Sequence, residues 1–255
     1  MNNTPFFSVI TASFNSERTI SKTIESLLNQ TYTNFEYIII DGNSKDATLD
    51  IIKSFESKFI EKNITYKFIS EPDKGIYDAW NKGIKLAKGE WISFIGSDDY
   101  YLENALSLYS NEINKSSKNT NYISSRVIII DNKGNSIKTI GKMFNWANLI
   151  KNMDIAQVGS FHKKDLFEHI GNFSTDYKIV GDLDFYIRSK NIIIPAFFNE
   201  VTAKMENNGV SNQINKALSE ALKVRLFYKY ENKPKIYLNH FITFMKCYIN
   251  LIVKK

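Results

Sequence analysis

EWISFIGSDDYY, residues 90–101, is an apolar run that ends on Ser97, Asp98 and Asp99. Adjacent carboxylates repel, and where a buried strand surfaces they cost stability unless a cation, hydrogen bonds or water offset the charge. A solvated turn is the simplest account, because Ser, Asp and Gly form turns through local hydrogen bonds. Two earlier runs have the same shape: FFSVIT (6–11) precedes Ala12–Asn15, and FEYIIID (35–41) precedes Gly42–Asp46. Between them lie helical patterns, Ile20, Ile24, Leu27 and Leu28 in one and Ile51, Ile52, Phe55 and Phe59 in another. Strand and helix in alternation predict an α/β fold, a mostly parallel sheet flanked by helices with right-handed crossovers. Parallel strands align their C-terminal ends along one edge, where ligands of open α/β sheets bind. Asn15, Asp41, Asp98 and Asp99 then converge on one crevice. Taken singly, Asp41 reads as a loop acid; the convergence makes it a candidate.

A third helical stretch, IYDAWNKGIKLAKG, follows SEPDKG. Ile76, Trp80, Ile84 and Ala87 face inward, while Tyr77, Asp78 and Asn81 share another face. Trp80 and Trp91 read as core. In the second half, NYISSRVIIID and NSIKTI flank Asn132-Lys133-Gly134-Asn135 as a β-hairpin. KKDLFEHIGNF reads as a short helix closed by Gly171. VGDLDFYIRS places Asp182 and Asp184 near a helix start, where the dipole stabilises carboxylates and where capping alone explains an aspartate.

With 255 residues, 43% hydrophobic and 24% charged, the chain can bury a large core. Its net charge of +6 is carried mostly by lysine, the arginines being only Arg18, Arg126, Arg188 and Arg225. That scarcity argues against nucleic acid as a partner, while leaving anionic lipid or an anionic substrate open. Cys247 is the single cysteine, which excludes an intrachain disulfide and a thiolate zinc cluster. His162, His169 and His240 lack metal-ligand spacing. The N-terminal residues show no secretory pattern, so a cytoplasmic location is expected. Near the C-terminus, Leu238, Phe241, Ile242, Met245, Tyr248, Ile249 and Ile252 form one helical stripe opposite Asn239, Thr243, Lys246 and Asn250. This amphipathic helix suits either the core or, with Lys254 and Lys255, peripheral contact with the inner face of a membrane. Its polar residues argue against a spanning helix. No repeat or linker interrupts the chain. The economical division is a domain over 1–210, with halves at about 1–125 and 126–210, and a helical extension over 211–255.

Three segments, taken in order, resemble a bacterial family 2 glycosyltransferase of the Rossmann-like GT-A fold: SVITASFNSERTISKTIESLLNQTYTNFEYIIIDGNSKDAT, SEPDKGIYDAWNKGIKLAKGEWISFIGSDD and GSFHKKDLFEHIGNFSTDYKIVGDLDFYIRS. The resemblance implies inverting transfer of a sugar from a nucleoside-diphosphate donor, usually uridine-linked, to an acceptor hydroxyl, here a glycan or lipid-linked glycan in polysaccharide synthesis. It implies that Thr11, Ala12, Ser13, Asn15, Asp41, Asp73, Asn81, Ser97 and Asp98 bind the nucleotide, with Asp41 accepting from the base. Asp98 and Asp99 match the end of the family's D-x-D motif, Asp99 as the ligand of Mn²⁺ or Mg²⁺, and Asp182 matches the catalytic base. A diphosphate-bound cation would explain the paired carboxylates. The pattern departs at Gly96 and Gly181, where the family often has acids. A sugar nucleotidyltransferase is disfavoured, because TASFNSERT lacks the Gly-rich loop of those enzymes. A non-catalytic nucleotide-sugar-binding or scaffolding role rests only on the two glycines.

Overall fold

The apolar runs become neighbouring strands because each can be buried on both faces. In the computed structural model, which describes residues 4–149, 155–207 and 213–253, β1 (Phe7–Ser13), β2 (Phe35–Asp41) and β4 (Trp91–Gly96) pair in parallel, with β1 in the middle. Every residue of β2 is buried, and burying each of Ile38, Ile39 and Ile40 contributes about 1.5–3 kcal/mol. Of the two acids in that strand, Glu36 accepts from Lys67 at 2.8 Å, from the Ser8 hydroxyl at 2.7 Å and from the Lys88 N–H. Burial alone would raise its pKa, yet these donors hold it below the usual carboxylate value. Lys67 belongs to β3 (Thr65–Ser70), parallel to β2 at the sheet edge. The sequence reading missed β3 because its half-exposed residues make no continuous apolar run, although Tyr66 and Phe68 flank Lys67 in strand period.

α1 (Ile20–Leu28), α2 (Thr48–Ser54) and α3 (Glu56–Glu61) bury their apolar residues in one cluster on one sheet face. The second helical pattern is thus two short helices, broken at Phe55. α4 (Ile76–Leu86) packs on the opposite face against Ile10, Ile38 and Ile40. The order β3-β2-β1-β4 reverses between β1 and β4, so the C-terminal ends of those two strands open a crevice. Trp80, Ile84, Ala87 and Trp91 are buried as expected, and so is Tyr77, which the helical period had placed on the polar face.

Beyond β4 come β5 (Tyr100–Tyr101), α5 (Ala105–Lys115) and the expected hairpin of β6 (Tyr122–Ile130) and β7 (Ser136–Ile140). β8 (Ser160–Lys163) runs antiparallel between β4 and β6, and β9 (Pro195–Glu206) pairs parallel with β6 and antiparallel with β5. Among the described residues one curled sheet results, parallel over its first four strands and mixed beyond, flanked by helices as the alternation required. α6 (Trp146–Leu149) is short; α7 (Asp165–Ile170) ends at Gly171 with φ 83°. α8 (Gly181–Arg188) carries Asp182 and Asp184. His162 is core: it is fully buried, its Nε2 lies 3.2 Å from the Tyr186 hydroxyl, and burial lowers its pKa to about 3.

α9 (Ile214–Phe227) sends Ala221 and Val224 into the core of the α4 face, and α10 (Lys233–Val253) packs on α9. Ile236 of α10 is buried, but further along the helix turns apolar side chains outward. Asn239, His240 and Thr243 are half-buried, whereas Leu238 and Phe241 are 58% and 60% exposed, with Tyr237, Ile242 and Met245 also outward. This overturns the core alternative for those residues; the side chains of Lys246, Tyr248, Ile249, Asn250 and Ile252 lie outside the described part, as do Lys254 and Lys255. Among the described residues no helix is long and apolar enough to cross a membrane. The expected boundary at 210 also falls outside the described residues.

Candidate active site

At the end of β1 the chain turns through Asn15, whose φ of 49° is left-handed and tolerable for Asn. The turn is fastened to the loop after β2: Asn15 N–H donates to Ser44 Oγ at 2.8 Å, and Asn15 Oδ1 accepts from Lys45 N–H at 2.9 Å. It is also fastened to the end of β4, because the Ser16 and Ser97 hydroxyls lie 2.7 Å apart. The result is an open cleft of about 300 Å³ lined by residues 15–19, Asp46, Ser97, Asp98 and Glu206.

Asp41 sits beneath this loop, fully buried. Its oxygens accept from the hydroxyls of Ser13 at 3.1 Å, Ser70 at 2.6 Å and Ser44, and from Ser44 N–H at 3.0 Å. A carboxylate has about four lone-pair sites, so a serine hydroxyl must turn away before Asp41 can accept from a base. Thr11 is further from the expected role. It is fully buried inside the sheet, its Oγ1 3.0 Å from the Tyr37 hydroxyl. Asn81 is likewise spent: its amide donates to Phe173 O at 2.8 Å and accepts from Phe173 N–H at 3.0 Å. The structure gives these two side chains packing and tethering work instead. Ala12 is half-buried at the strand end. Asp73 accepts from Gly75 N–H at 2.8 Å, and its Oδ2 lies 2.7 Å from where a Cβ on Gly42 would stand, with the ring of Phe14 3.3 Å from the same point. Phe14, 60% exposed, was missed by the sequence reading, although an aromatic between Ser13 and Asn15 in a polar turn is a visible signal.

Asp98 and Asp99 end differently from Asp41. Among the described residues Asp98 receives only its own backbone N–H, and burial raises its pKa. Asp99 is 8% exposed; burial and then the neighbouring Asp98 charge push its carboxyl well above the usual range. Its Oδ1 accepts from the backbone N–H of Glu206 at 3.1 Å. That residue, at the end of β9, brings a third carboxyl to the cleft, with a pKa raised by burial and by Asp98. No local pattern marks Glu206; it arrives only through the β5–β9 pairing. Among the described residues no three His, Cys, Asp or Glu side chains are gathered as a metal site. The oxygen-only donor set of Asp98 and Asp99 nevertheless fits a hard divalent cation, which takes its remaining ligands from phosphate and water. A Cβ at Gly96 would lie 2.7 Å from Asp98 Oδ1 and 3.1 Å from Asp99 Oδ2, so a larger residue there would displace the Asp98 carboxyl.

Asp182, on the first turn of α8, is half-buried. Its Oδ1 accepts from Leu183 N–H at 2.8 Å and from the Tyr77 hydroxyl at 3.3 Å. Burial raises its pKa to about 6, against the lowering effect of those two donors. Gly181 is required beside it, since a Cβ would meet the Tyr77 ring at 2.8 Å. Asp184, two residues on, is tied down: it accepts from Arg188 Nε at 3.0 Å and from the Tyr228 hydroxyl at 2.9 Å. Of the two, only Asp182 keeps an oxygen and an exposure suited to a reacting group. It stands beside the N-terminal turn of α4, where Tyr77 reaches it.

The model of the family described as "Glycosyl transferase family 2" matches residues 8–177, and the chain belongs to that family. Asp182 lies just beyond the matched segment. The chain is 30% identical over 214 residues to the "PGL/p-HBAD biosynthesis glycosyltransferase" of Mycobacterium bovis, covering 82% of this chain and 80% of that one. It is 42% identical over 101 residues to the Escherichia coli "UDP-Glc:alpha-D-GlcNAc-diphosphoundecaprenol beta-1,3-glucosyltransferase WfaP", covering 39% and 38%. Its fold is that of GT-A structures: S. aureus TarS 1-349 in complex with UDP-GlcNAc superposes with a TM-score of 0.66 at 20% identity over 86% of this chain and 64% of that chain. The mannosyltransferase PcManGT from Pyrobaculum calidifontis, in complex with GDP-Man and Mn²⁺, gives 0.66 at 14% identity over 91% and 66%.

Proposed function

We propose that this protein is an inverting glycosyltransferase that moves a sugar from a nucleoside-diphosphate donor, a uridine one, to a hydroxyl of a lipid-linked glycan in cell-surface polysaccharide synthesis. The observation that carries the reading is the presence of two kinds of carboxyl: Asp98 and Asp99, which receive no side-chain donor among the described residues, and Asp182, whose pKa burial raises to about 6. Asp99, with Asp98 beside it, would hold Mn²⁺ or Mg²⁺, and such an ion supplies positive charge to the departing diphosphate. Arg18, Asn15 and Ser97 line the same cleft and bind the phosphates and ribose, while the exposed ring of Phe14 offers a stacking face to the base. Asp41 holds the serine hydroxyls and the loop against which the nucleotide rests. Asp182 takes the proton of the acceptor hydroxyl as its oxygen bonds to the anomeric carbon and the bond from that carbon to the diphosphate breaks, inverting the configuration.

The acceptor reading is supported by the E. coli relative, whose name specifies a diphosphoundecaprenol-linked sugar, and by the tail. Residues 211–255 hold eight lysines, one arginine and two glutamates, a net charge of +7 against +6 for the whole chain, so residues 1–210 sum to −1. A basic segment whose apolar face points outward fits an anionic bilayer surface, placing the enzyme peripherally on the cytoplasmic leaflet.

The test incubates the purified chain with radiolabelled UDP-, dTDP- and GDP-sugars and Mn²⁺ or Mg²⁺. Metal-dependent hydrolysis of one donor is expected, and Asp182→Asn should lower it by roughly 10²–10⁴-fold with UDP affinity unchanged. Full activity in chelator would overturn the metal assignment, and an active Asp182→Asn would overturn the base.

A further inference from the structure

Asp182 follows a short irregular segment, residues 174–180. Its own helix holds the last carbonyl, Val180 O, through Asp184 N–H at 3.2 Å, and Lys178 Nζ donates to Lys74 O. The N–H groups at the end of the segment are held by the C-terminal extension. Glu220 on α9, only 9% exposed, turns one oxygen, Oε2, to the backbone N–H groups of Lys178 at 3.0 Å, Ile179 at 2.9 Å and Val180 at 3.4 Å. From the other side, the Tyr77 hydroxyl, which has one proton to give, lies 2.7 Å from Ile179 O and 3.3 Å from Asp182 Oδ1 and so bridges the segment and the carboxyl. A second tether joins the same two helices, because Tyr228, which ends α9, donates to Asp184 in α8. Three consecutive N–H groups converging on one carboxylate are charge-assisted hydrogen bonds, each stronger than a neutral one. They are placed where a shift of the chain moves the reacting carboxyl directly.

We propose that Glu220 is a positioning residue for the transfer reaction, holding residues 178–180 so that the Asp182 carboxyl stays beside Tyr77 and at the acceptor hydroxyl. The inference rests on the reading of Asp182 as the base. It makes α9 a working part of the active site, although that helix lies outside the matched family segment and touches no nucleotide-binding residue. A displacement of about 1 Å at a reacting group costs up to roughly 10²-fold in rate, so a clamp two residues from the base is enough to matter.

The experiment compares Glu220→Ala, Glu220→Gln and Glu220→Asp in the full chain. It measures kcat and KM for the donor that the panel identifies, UDP affinity with Mn²⁺, and amide hydrogen exchange at residues 178–180. Glu220→Ala should lower kcat roughly 10–10²-fold with KM and UDP affinity unchanged, and should speed exchange at 178–180 while the amides of β1 keep their protection. Glu220→Gln retains a carbonyl oxygen at the same reach and should restore most of the rate; Glu220→Asp falls one methylene short and should not. If Glu220→Ala does not fold, the Gln and Asp pair decides by the same criteria. Parental kcat in Glu220→Ala or Glu220→Asp, or a loss in which UDP affinity falls in step with kcat, overturns the proposal. An inactive Asp182→Asn beside a fully active Glu220→Ala leaves the base standing and removes the clamp. An active Asp182→Asn removes the base itself, and unchanged exchange at 178–180 then removes the clamp as well.

Discussion

β2 and β4 run parallel to the same sheet edge and both lead into aspartate, yet the protein treats the two ends in opposite ways. Asp41 is surrounded by three serine hydroxyls and an N–H, and its charge is answered from within. Asp98 and Asp99 stand together with raised pKa values, a third carboxyl from Glu206 beside them, and one backbone N–H from β9. Strand ends of nearly the same sequence character can therefore be structural or receptive. What separates them is whether the neighbouring loops carry donors. The same contrast recurs on α8, where Asp184 is held by Arg188 and Tyr228 while Asp182 keeps a half-open side.

The contrast is broken most sharply by neutralising the receptive end. Asp99→Asn should abolish Mn²⁺-dependent UDP binding, by at least roughly 10²-fold in affinity measured by calorimetry. The apo protein should be as stable as the parent or more so, since one of two repelling charges is gone. A variant that binds UDP normally with metal would show that Asp99 is a structural acid like Asp41. Asp41→Ala should do the reverse, costing about 3 kcal/mol in urea unfolding because buried hydroxyls lose their acceptor. A loss near zero would show that Asp41 is not the keystone of its loop.

The two aspartates of α8 are separated by pH. Asp182 must be ionised to accept a proton, and its pKa is raised to about 6. The rate should therefore be level above pH 6 and fall about tenfold per unit below it, in an acid limb that Asp184→Asn leaves in place and Asp182→Asn removes. A limb near pH 4 would mean the carboxyl is solvated when substrate is bound. The smallest effect concerns the tail, where Leu238, Phe241 and Met245 face out. Lys229→Glu and Lys233→Glu should each weaken binding to phosphatidylglycerol vesicles about fivefold, with the difference shrinking in high salt. No binding by the parent would remove the membrane reading of α10.

Much of the first half of the chain was legible because its signals are local. Continuous apolar runs such as FEYIIID can be buried only as central parallel strands, and the turns at their ends must share an edge whatever the loops do. The hairpin at Gly134, the cap at Gly171 and the buried Trp80 and Trp91 follow from short-range stereochemistry in the same way. Tyr77, Glu206 and Glu220 are different. Tyr77 was assigned by helical period to a face shared with Asp78 and Asn81, but it is buried and its hydroxyl bridges Ile179 O and Asp182 Oδ1. Glu206 and Glu220 reach their partners across 107 and 42 residues of chain, through a strand pairing and a helix packing that leave no mark in the residues nearby. By itself the sequence determined the strands β1, β2 and β4, the crevice at their ends and the aspartates Asp41, Asp98 and Asp99 found there, because burial period and strand ends are properties of adjacent residues. Which of those aspartates are satisfied and which are left open was decided only by tertiary structure, because the donors that answer a buried charge come from wherever the fold brings them.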